Sequence, residues 1–256
     1  MRAIILAAGR GSRMGGLTLE QPKCLTPILG RTLLDWQLTA LRAAGLAEIA
    51  VVRGYQAQCL QPAGCVFFEN TAWAETNMVA TLACAHGWLE QDDCLVAYSD
   101  IVYHPEIITQ LAQHSGDLVI SYDLDWLQLW RERFDNPLDD AETFRCDAHG
   151  RLTTIGKRTD RLKEIEGQYM GLIKITPGGW RQISRLLNSL SQQERNQLDM
   201  TALLQSLLTT GVNIDTSPIH GRWCEVDCEN DLNIYKERLK PSQDWSHDWR
   251  WETVSA

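Results

Sequence analysis

Apolar residues in the first half of the chain fall into short continuous runs, separated by longer stretches with helical spacing. "RAIILA" carries no polar residue after its arginine, as a strand covered on both faces would not. "TLLDWQLTALRAAGL" repeats its leucines three and four positions apart and then meets Gly45, the signature of an amphipathic helix with a glycine stop. "EIAVVRG" and "CVFFEN" predict two more strands, "NMVATLACAHGWL" a helix and "DCLVAYSD" a strand. "PEIITQLAQH" follows as a helix with an early proline, and "DLVISYD" as a strand. Strands separated by helices imply right-handed crossovers, a mostly parallel sheet and helices on both faces.

The pattern changes after about residue 125. "ETFRCDAHGRLTTIGK" and "GQYMGLIKI" read as strands of a meander, with "DAHG" as its tight turn. Helical spacing returns in "GGWRQISRLLNSL" and "DMTALLQSLLTTG", before "NIDTSPI", "RWCEVD" and the helix "ENDLNIYKERL". The expected architecture is a three-layer α/β, Rossmann-like fold with a mixed, mostly parallel central sheet and a strand-rich insertion. Residues 1–240 read as one domain, with a first half at 1–125 and a second at 126–240. The tail from 241 to 256 carries three tryptophans among polar residues, and the sequence leaves open whether it docks.

Composition narrows the function. With 44% apolar and 22% charged residues among 256, the chain is that of an ordinary soluble globular protein. A net charge of −9 argues against nucleic-acid or anionic-membrane partners, so an anionic ligand needs a local positive site. The eight cysteines are scattered, and the only close pair, Cys224 and Cys228, has no second pair to complete a zinc site. Free thiols and a cytoplasmic location are expected, since the first apolar run, Ala3 to Ala8, is too short for a secretory leader. No run reaches the length that spans a bilayer.

Candidate chemistry begins in "LAAGRGSRM", where a strand runs into a glycine turn. Such a turn offers backbone N–H groups, and glycine lets them approach phosphate oxygens closely. A dinucleotide fingerprint would need a third glycine where Met14 stands, and a P-loop would need a G-K-[ST] ending that is missing. Arg13 and Lys23 lie close by, and two cations beside the turn suit a nucleoside triphosphate. Asp100 closes "CLVAYSD" and Asp227 closes "RWCEVD", so each sits at a strand end, where ligands of open α/β sheets bind.

"LAAGRGSRM" with "PKCLTPILGRTLLDWQLTALRAAG" resembles the nucleotidyltransferases that activate phosphorylated small molecules with a nucleoside triphosphate. "ENTAWAETNMVATL", "YSDIVY", "EGQYMGL" and "WCEVDCENDL" are most similar to the bacterial cytidylyltransferases of phosphocholine and 2-aminoethylphosphonate. The resemblance implies a nucleotidyltransferase fold, transfer of CMP from CTP to a small phosphonate or phosphate, and release of pyrophosphate. It implies Asp100 and Asp227 as holders of Mg²⁺, Arg13 on the triphosphate, and Lys23 stabilising the α-phosphate in the transition state. Leu6, Ala8, Gly9, Gly11 and Ser12 are expected along the nucleotide, as is Asn77, which also suits a helix N-cap.

An acceptor pairing an anionic head with a cationic nitrogen calls for aromatic faces and carboxylates. Tyr122, Asp123, Trp126, Trp130, Asp140, Glu142, Glu166 and Tyr169 are the candidates, with Lys157 for the acceptor's phosphate or phosphonate. Trp126 and Trp130, four apart, equally fit one apolar helix face. "RERFDNPLDDAE" resembles the phosphonate-associated enzymes, which favours an aminoethylphosphonate-like acceptor over phosphocholine. A sugar-1-phosphate nucleotidyltransferase, a silent nucleotide-binding module and an NAD-dependent oxidoreductase are the further alternatives. A homodimer is compatible with the sequence.

Overall fold

The computed structural model describes residues 1–240 and 244–251. Strand β1 (Arg2–Ala7) lies inside a seven-stranded sheet and sends alternate side chains to opposite faces. Ala3, Ile5 and Ala7 join one apolar cluster, while Ile4 and Leu6 join another. Burial on both sides is why the run shows no polar alternation.

After β1 come two 3₁₀ turns, Ser12–Thr18 and Lys23–Leu25, where the sequence predicted no helical turn. A hairpin of β2 (Pro27–Ile28) and β3 (Arg31–Thr32) leads into α1 (Leu33–Ala43). Thr32 caps α1: its hydroxyl accepts the Asp35 N–H, and the Asp35 carboxylate accepts the Thr32 N–H. The chain continues through β4 (Ile49–Arg53), β5 (Cys65–Glu69), α2 (Met78–Ala83), α3 (His86–Gln91) and β6 (Cys94–Tyr98). The single helix expected over residues 77–89 is therefore two, because Ala85 leaves helical geometry (φ −97°, ψ 17°). Then follow β7 (Ile101–Tyr103), α4 (Pro105–Gln113) and β8 (Leu118–Asp123).

The second half comprises α5 (Trp126–Arg133), β9 (Glu142–Cys146), β10 (Leu152–Arg158), β11 (Gln168–Ile175) and α6 (Pro177–Ser189). It ends with α7 (Gln192–Gln197), α8 (Met200–Thr209), β12 (Asp215–Ile219), β13 (Trp223–Glu225) and α9 (Glu229–Arg238). Strand order in the main sheet is β12-β8-β11-β6-β1-β4-β5. Every neighbouring pair is parallel except those made by β11, which runs antiparallel to β6 and β8.

The expected meander is corrected here. Only β9 and β10 form a separate hairpin; "GQYMGLIKI" is an inner strand of the main sheet. Leu172 points into one core cluster, and Ile173 and Ile175 into the other, so the apolar run reflects two covered faces. At Gly171 (φ 85°) the strand presses on the Tyr98 ring, where a Cβ would come within 2.7 Å. The pairing with β8 shifts register between Tyr169 and Ile173, and Tyr169 sits edge-on to Tyr98 at 5.7 Å.

Residues 244–251 dock against the back of β13 and α9. Trp249 is fully buried, edge-on to Trp36 at 6.0 Å and to Tyr235 at 6.3 Å. His247 donates from Nε2 to the Asp123 carboxylate at 2.9 Å, and its Nδ1 lies 2.9 Å from the Ser246 hydroxyl. Asp123 further accepts from Trp223 Nε1 and from the N–H groups of Gly221 and Asp125. Burial alone would raise its pKa, but the His247 bond and these donors hold it below the usual range. Asp123 is thus a fully enclosed structural anchor and not the acceptor carboxylate expected from sequence. Trp249→Ala should cost about 3–5 kcal/mol, read as a lower urea midpoint at unchanged m.

No helix among the described residues is long and apolar enough to cross a membrane. All eight cysteines are unpaired.

Candidate active site

The carboxyl ends of β1 and β6 open onto a cleft, with β4 on the far side of β1, at the point where strand order reverses. Leu6, Ala8, Gly9, Gly11, Arg13 and Lys23 line one side. Trp73, Thr76, Asn77, Met78, Tyr98, Ser99 and Asp100 line the other. Of the nucleotide-binding set expected from sequence, Ser12 alone is exposed outside this lining. Asn77 caps α2 by accepting the Met78 N–H at 2.8 Å and still faces the cleft, so both expected roles are compatible.

Gly11 has a structural reason to be glycine. Its φ is 72°, and a Cβ would lie 2.6 Å from Lys23 Cβ. Met14, in the place of a third glycine, is buried and ties the 3₁₀ turn to the core.

Strand register brings Asp100 and Asp227 together. β7 starts one residue after Asp100, and β13 ends two residues before Asp227. The two strands pair antiparallel, Glu225 opposite Ile101, and the Val226 N–H donates to the Asp100 carbonyl at 2.9 Å. Both carboxylates therefore arrive at one spot, and Lys23 lies between them. Its ammonium donates to Asp100 Oδ2 at 2.9 Å and to Asp227 Oδ1 at 2.8 Å. Arg13, with 69% of its side chain exposed, reaches Asp227 Oδ1 at 3.0 Å.

These charges shift one another. Burial would lower the Lys23 pKa, but the Asp100 and Asp227 carboxylates outweigh it and push it above the ordinary lysine value. Burial would raise Asp227, yet Lys23 holds it well below the usual carboxylate range. Glu225 goes the other way: burial and the charge of Asp227 raise it well above that range.

Two members of the site were missed by sequence reasoning. Glu225 stands two residues before Asp227, and that strand parity was an available signal. One carboxylate oxygen each from Asp100, Glu225 and Asp227 lie within 4.8 Å of one another. Asp100 Oδ1 is buried with no hydrogen-bond partner. Three converging carboxylates, one of which also carries an unsatisfied buried oxygen, fit a hard divalent cation. Arg133 is the second. It bonds Asp231 through Nε at 3.0 Å, Glu225 through Nη1 at 3.2 Å and Asp227 through Nη2 at 3.4 Å. No sequence pattern distinguished it from the neighbouring Arg131 of "RERF".

The expected acceptor residues divide. Tyr169 packs on Tyr98, which lines the cleft. Burial is the main cause of the raised pKa values of Tyr98 and Glu142, and the charge of Asp199 adds to both. Tyr122 stacks on Phe144 at 4.6 Å under the hairpin. Lys157 and Glu166 are exposed, and Glu166 accepts the Cys146 N–H at 2.9 Å. Trp126 and Trp130 are 4% and 3% exposed and belong to the core, a correction to their expected place around an acceptor. Their spacing of four makes one inward helix face, and Trp130 donates to Asp140 at 3.2 Å, which takes that carboxylate too.

Comparison with known proteins follows the same lines. The family description "MobA-like NTP transferase domain" matches residues 3–153. The chain is 35% identical to CTP:phosphoglutamine cytidylyltransferase of Campylobacter jejuni, with 93% of this chain and 100% of that protein covered. It is 35% identical to 2-aminoethylphosphonate cytidylyltransferase of Lancefieldella rimae over 48% of this chain and 56% of that protein. The inositol-1-phosphate CTP transferase from T. maritima superposes with a TM-score of 0.73 at 18% identity, covering 95% and 98% of the two chains. That likeness speaks for the fold alone.

Proposed function

The chain belongs to the MobA-like NTP transferase family and is a nucleotidyltransferase; from that premise we propose that it transfers CMP from CTP to a small phosphorylated acceptor and releases pyrophosphate. The observation that carries this reading is the meeting of Lys23, Asp100 and Asp227 at the edge of the glycine-turn cleft. Phosphoglutamine is the acceptor we place first. The relative named for it aligns across 93% of this chain, second half included, whereas the aminoethylphosphonate relative aligns with 48%. An aminoethylphosphonate comes next, then phosphocholine and a sugar 1-phosphate.

In such a reaction an acceptor oxygen attacks the α-phosphorus in line, and positioning plus charge stabilisation do most of the work. The backbone along Leu6, Ala8 and Gly9 takes the cytosine edge, with Asn77 across the cleft. Gly11 and Arg13 take the triphosphate, where an arginine fork suits phosphate oxygens. Asp100, Asp227 and Glu225 would hold Mg²⁺, which when bound neutralises phosphate charge. Lys23 serves the α-phosphate: its ammonium turns from the two carboxylates to the negative charge that develops there. On the acceptor side, Glu142 and Asp199 meet a cationic nitrogen, with Tyr98 and Tyr169 offering ring faces.

The test is pyrophosphate release with CTP, UTP, GTP and ATP against phosphoglutamine, 2-aminoethylphosphonate, phosphocholine and glucose 1-phosphate, with Mg²⁺ present. The highest kcat/KM should fall on CTP with phosphoglutamine. Nucleotide binding without release for any pair would favour the silent module, against which the intact Arg13, Lys23, Asp100 and Asp227 argue.

A further inference from the structure

One aromatic residue that the sequence offered to an acceptor's cation, Trp130, already holds a cation of the protein itself. The Arg133 guanidinium lies 5.2 Å from the Trp130 ring centroid and 5.1 Å from that of Phe134, both on or just past the same helix. Its side chain is wholly enclosed, at 0% exposure. From that clamp it reaches three carboxylates. Nε and Nη2 grip Asp231 at 3.0 and 3.3 Å, Nη1 meets Glu225 at 3.2 Å, and Nη2 meets Asp227 at 3.4 Å. Asp231 in turn accepts the Asp227 N–H at 2.7 Å and the Cys228 N–H at 3.1 Å. The backbone of Asp227 is fixed through Asp231, and its side chain through Arg133 directly.

We propose that Arg133 is a positioning residue that sets the orientation of Asp227 and Glu225 for a divalent cation, with Trp130 and Phe134 fixing the guanidinium plane. The inference rests on the proposed reading of the site. A buried point charge could neutralise these carboxylates, but only a planar fork can grip Asp231 with two bonds and still donate to two other residues. Groups that orient metal-binding carboxylates typically change affinity or activity about 10- to 100-fold when replaced. Helix α5 follows β8 directly, so this geometry also depends on how the second half of the chain packs.

The deciding experiment measures Mn²⁺ binding by electron paramagnetic resonance, with CTP present, for wild type, Arg133→Lys, Arg133→Met and Phe134→Leu. Thermal unfolding and kcat and KM for CTP are followed in parallel. Arg133→Lys keeps the charge and loses the fork. It should weaken Mn²⁺ binding about 10- to 100-fold and lower kcat, leaving the KM for CTP within about twofold, and Arg133→Met should do no better. Phe134 is half-buried and away from the carboxylates; its leucine variant should weaken Mn²⁺ binding several-fold, and it decides the matter should the Arg133 variants not fold. Wild-type affinity in folded Arg133→Lys, or in Phe134→Leu when the former is unfolded, would overturn the role of Arg133. A wild type that binds no Mn²⁺ would instead overturn the reading of the site, and this inference with it.

Discussion

Asp227→Asn is expected to reduce kcat by about a thousandfold, the upper end of what removing one preorganised electrostatic group costs. Asp227 is the node of the site: Lys23, Arg13 and Arg133 all converge on its two oxygens. Asparagine keeps the shape but removes the charge these three cations share. Breaking one side of a buried ion pair costs about 3–5 kcal/mol, so the variant should also unfold at lower temperature. Because Asp227 titrates well below the usual range in the folded chain, its stabilising effect is fully present at neutral pH and is lost progressively as pH falls from the ordinary carboxylate value through that lowered one. Acidification should therefore narrow the stability gap between wild type and Asp227→Asn, measured by calorimetry across pH. A gap that persisted unchanged at low pH would show that the charge of Asp227 is not what matters.

Lys23→Ala should lower kcat by about a hundred- to a thousandfold, with a smaller change in the KM for CTP. It makes an opposite prediction for metal. Lys23 and a divalent cation draw on the same two carboxylates, so removing the ammonium takes away the one cation that bridges Asp100 and Asp227, while Arg13 and Arg133 still pair with Asp227 alone. Without nucleotide, the variant should bind Mn²⁺ more tightly than wild type, and added Mn²⁺ should raise its unfolding temperature more. Equal Mn²⁺ affinity in the two proteins would contradict a shared site.

Much of this was visible in the chain. The apolar run of β1, the helix α1 and the strand end at Asp100 each carry a local signal: a continuous apolar run, a leucine spacing closed by a glycine, or a change from apolar to charged. Arg13, Lys23, Asp100 and Asp227 were identifiable from residue type and place. Their convergence was not. It depends on β7 and β13, each three residues long and too short to show a period, whose register sets Asp227 beside Asp100. The inner position of β11 was misread because the preceding hairpin made a meander look continuous. Burial on both faces, a property of the assembled sheet, decided otherwise.

Arg133 and the tryptophans show the limit most plainly. Trp126 and Trp130 satisfied both an acceptor cage and an apolar helix face, and sequence spacing is the same for each. The choice was made by what lies opposite α5, namely α9 and its Asp231, 98 positions away from Arg133. A guanidinium on a helix reads as a solvated charge until its partner is in place. The docked tail is similar: Trp249 gains its meaning only from Trp36 and Tyr235 across the fold.

Anomalous diffraction from a crystal grown with CTP and Mn²⁺ would locate the ion directly. The account predicts a peak within coordination distance of both Asp100 and Asp227, with the Lys23 ammonium moved from between them onto the α-phosphate. CTP bound in the cleft with no peak between those carboxylates, and Lys23 still bridging them, would contradict it.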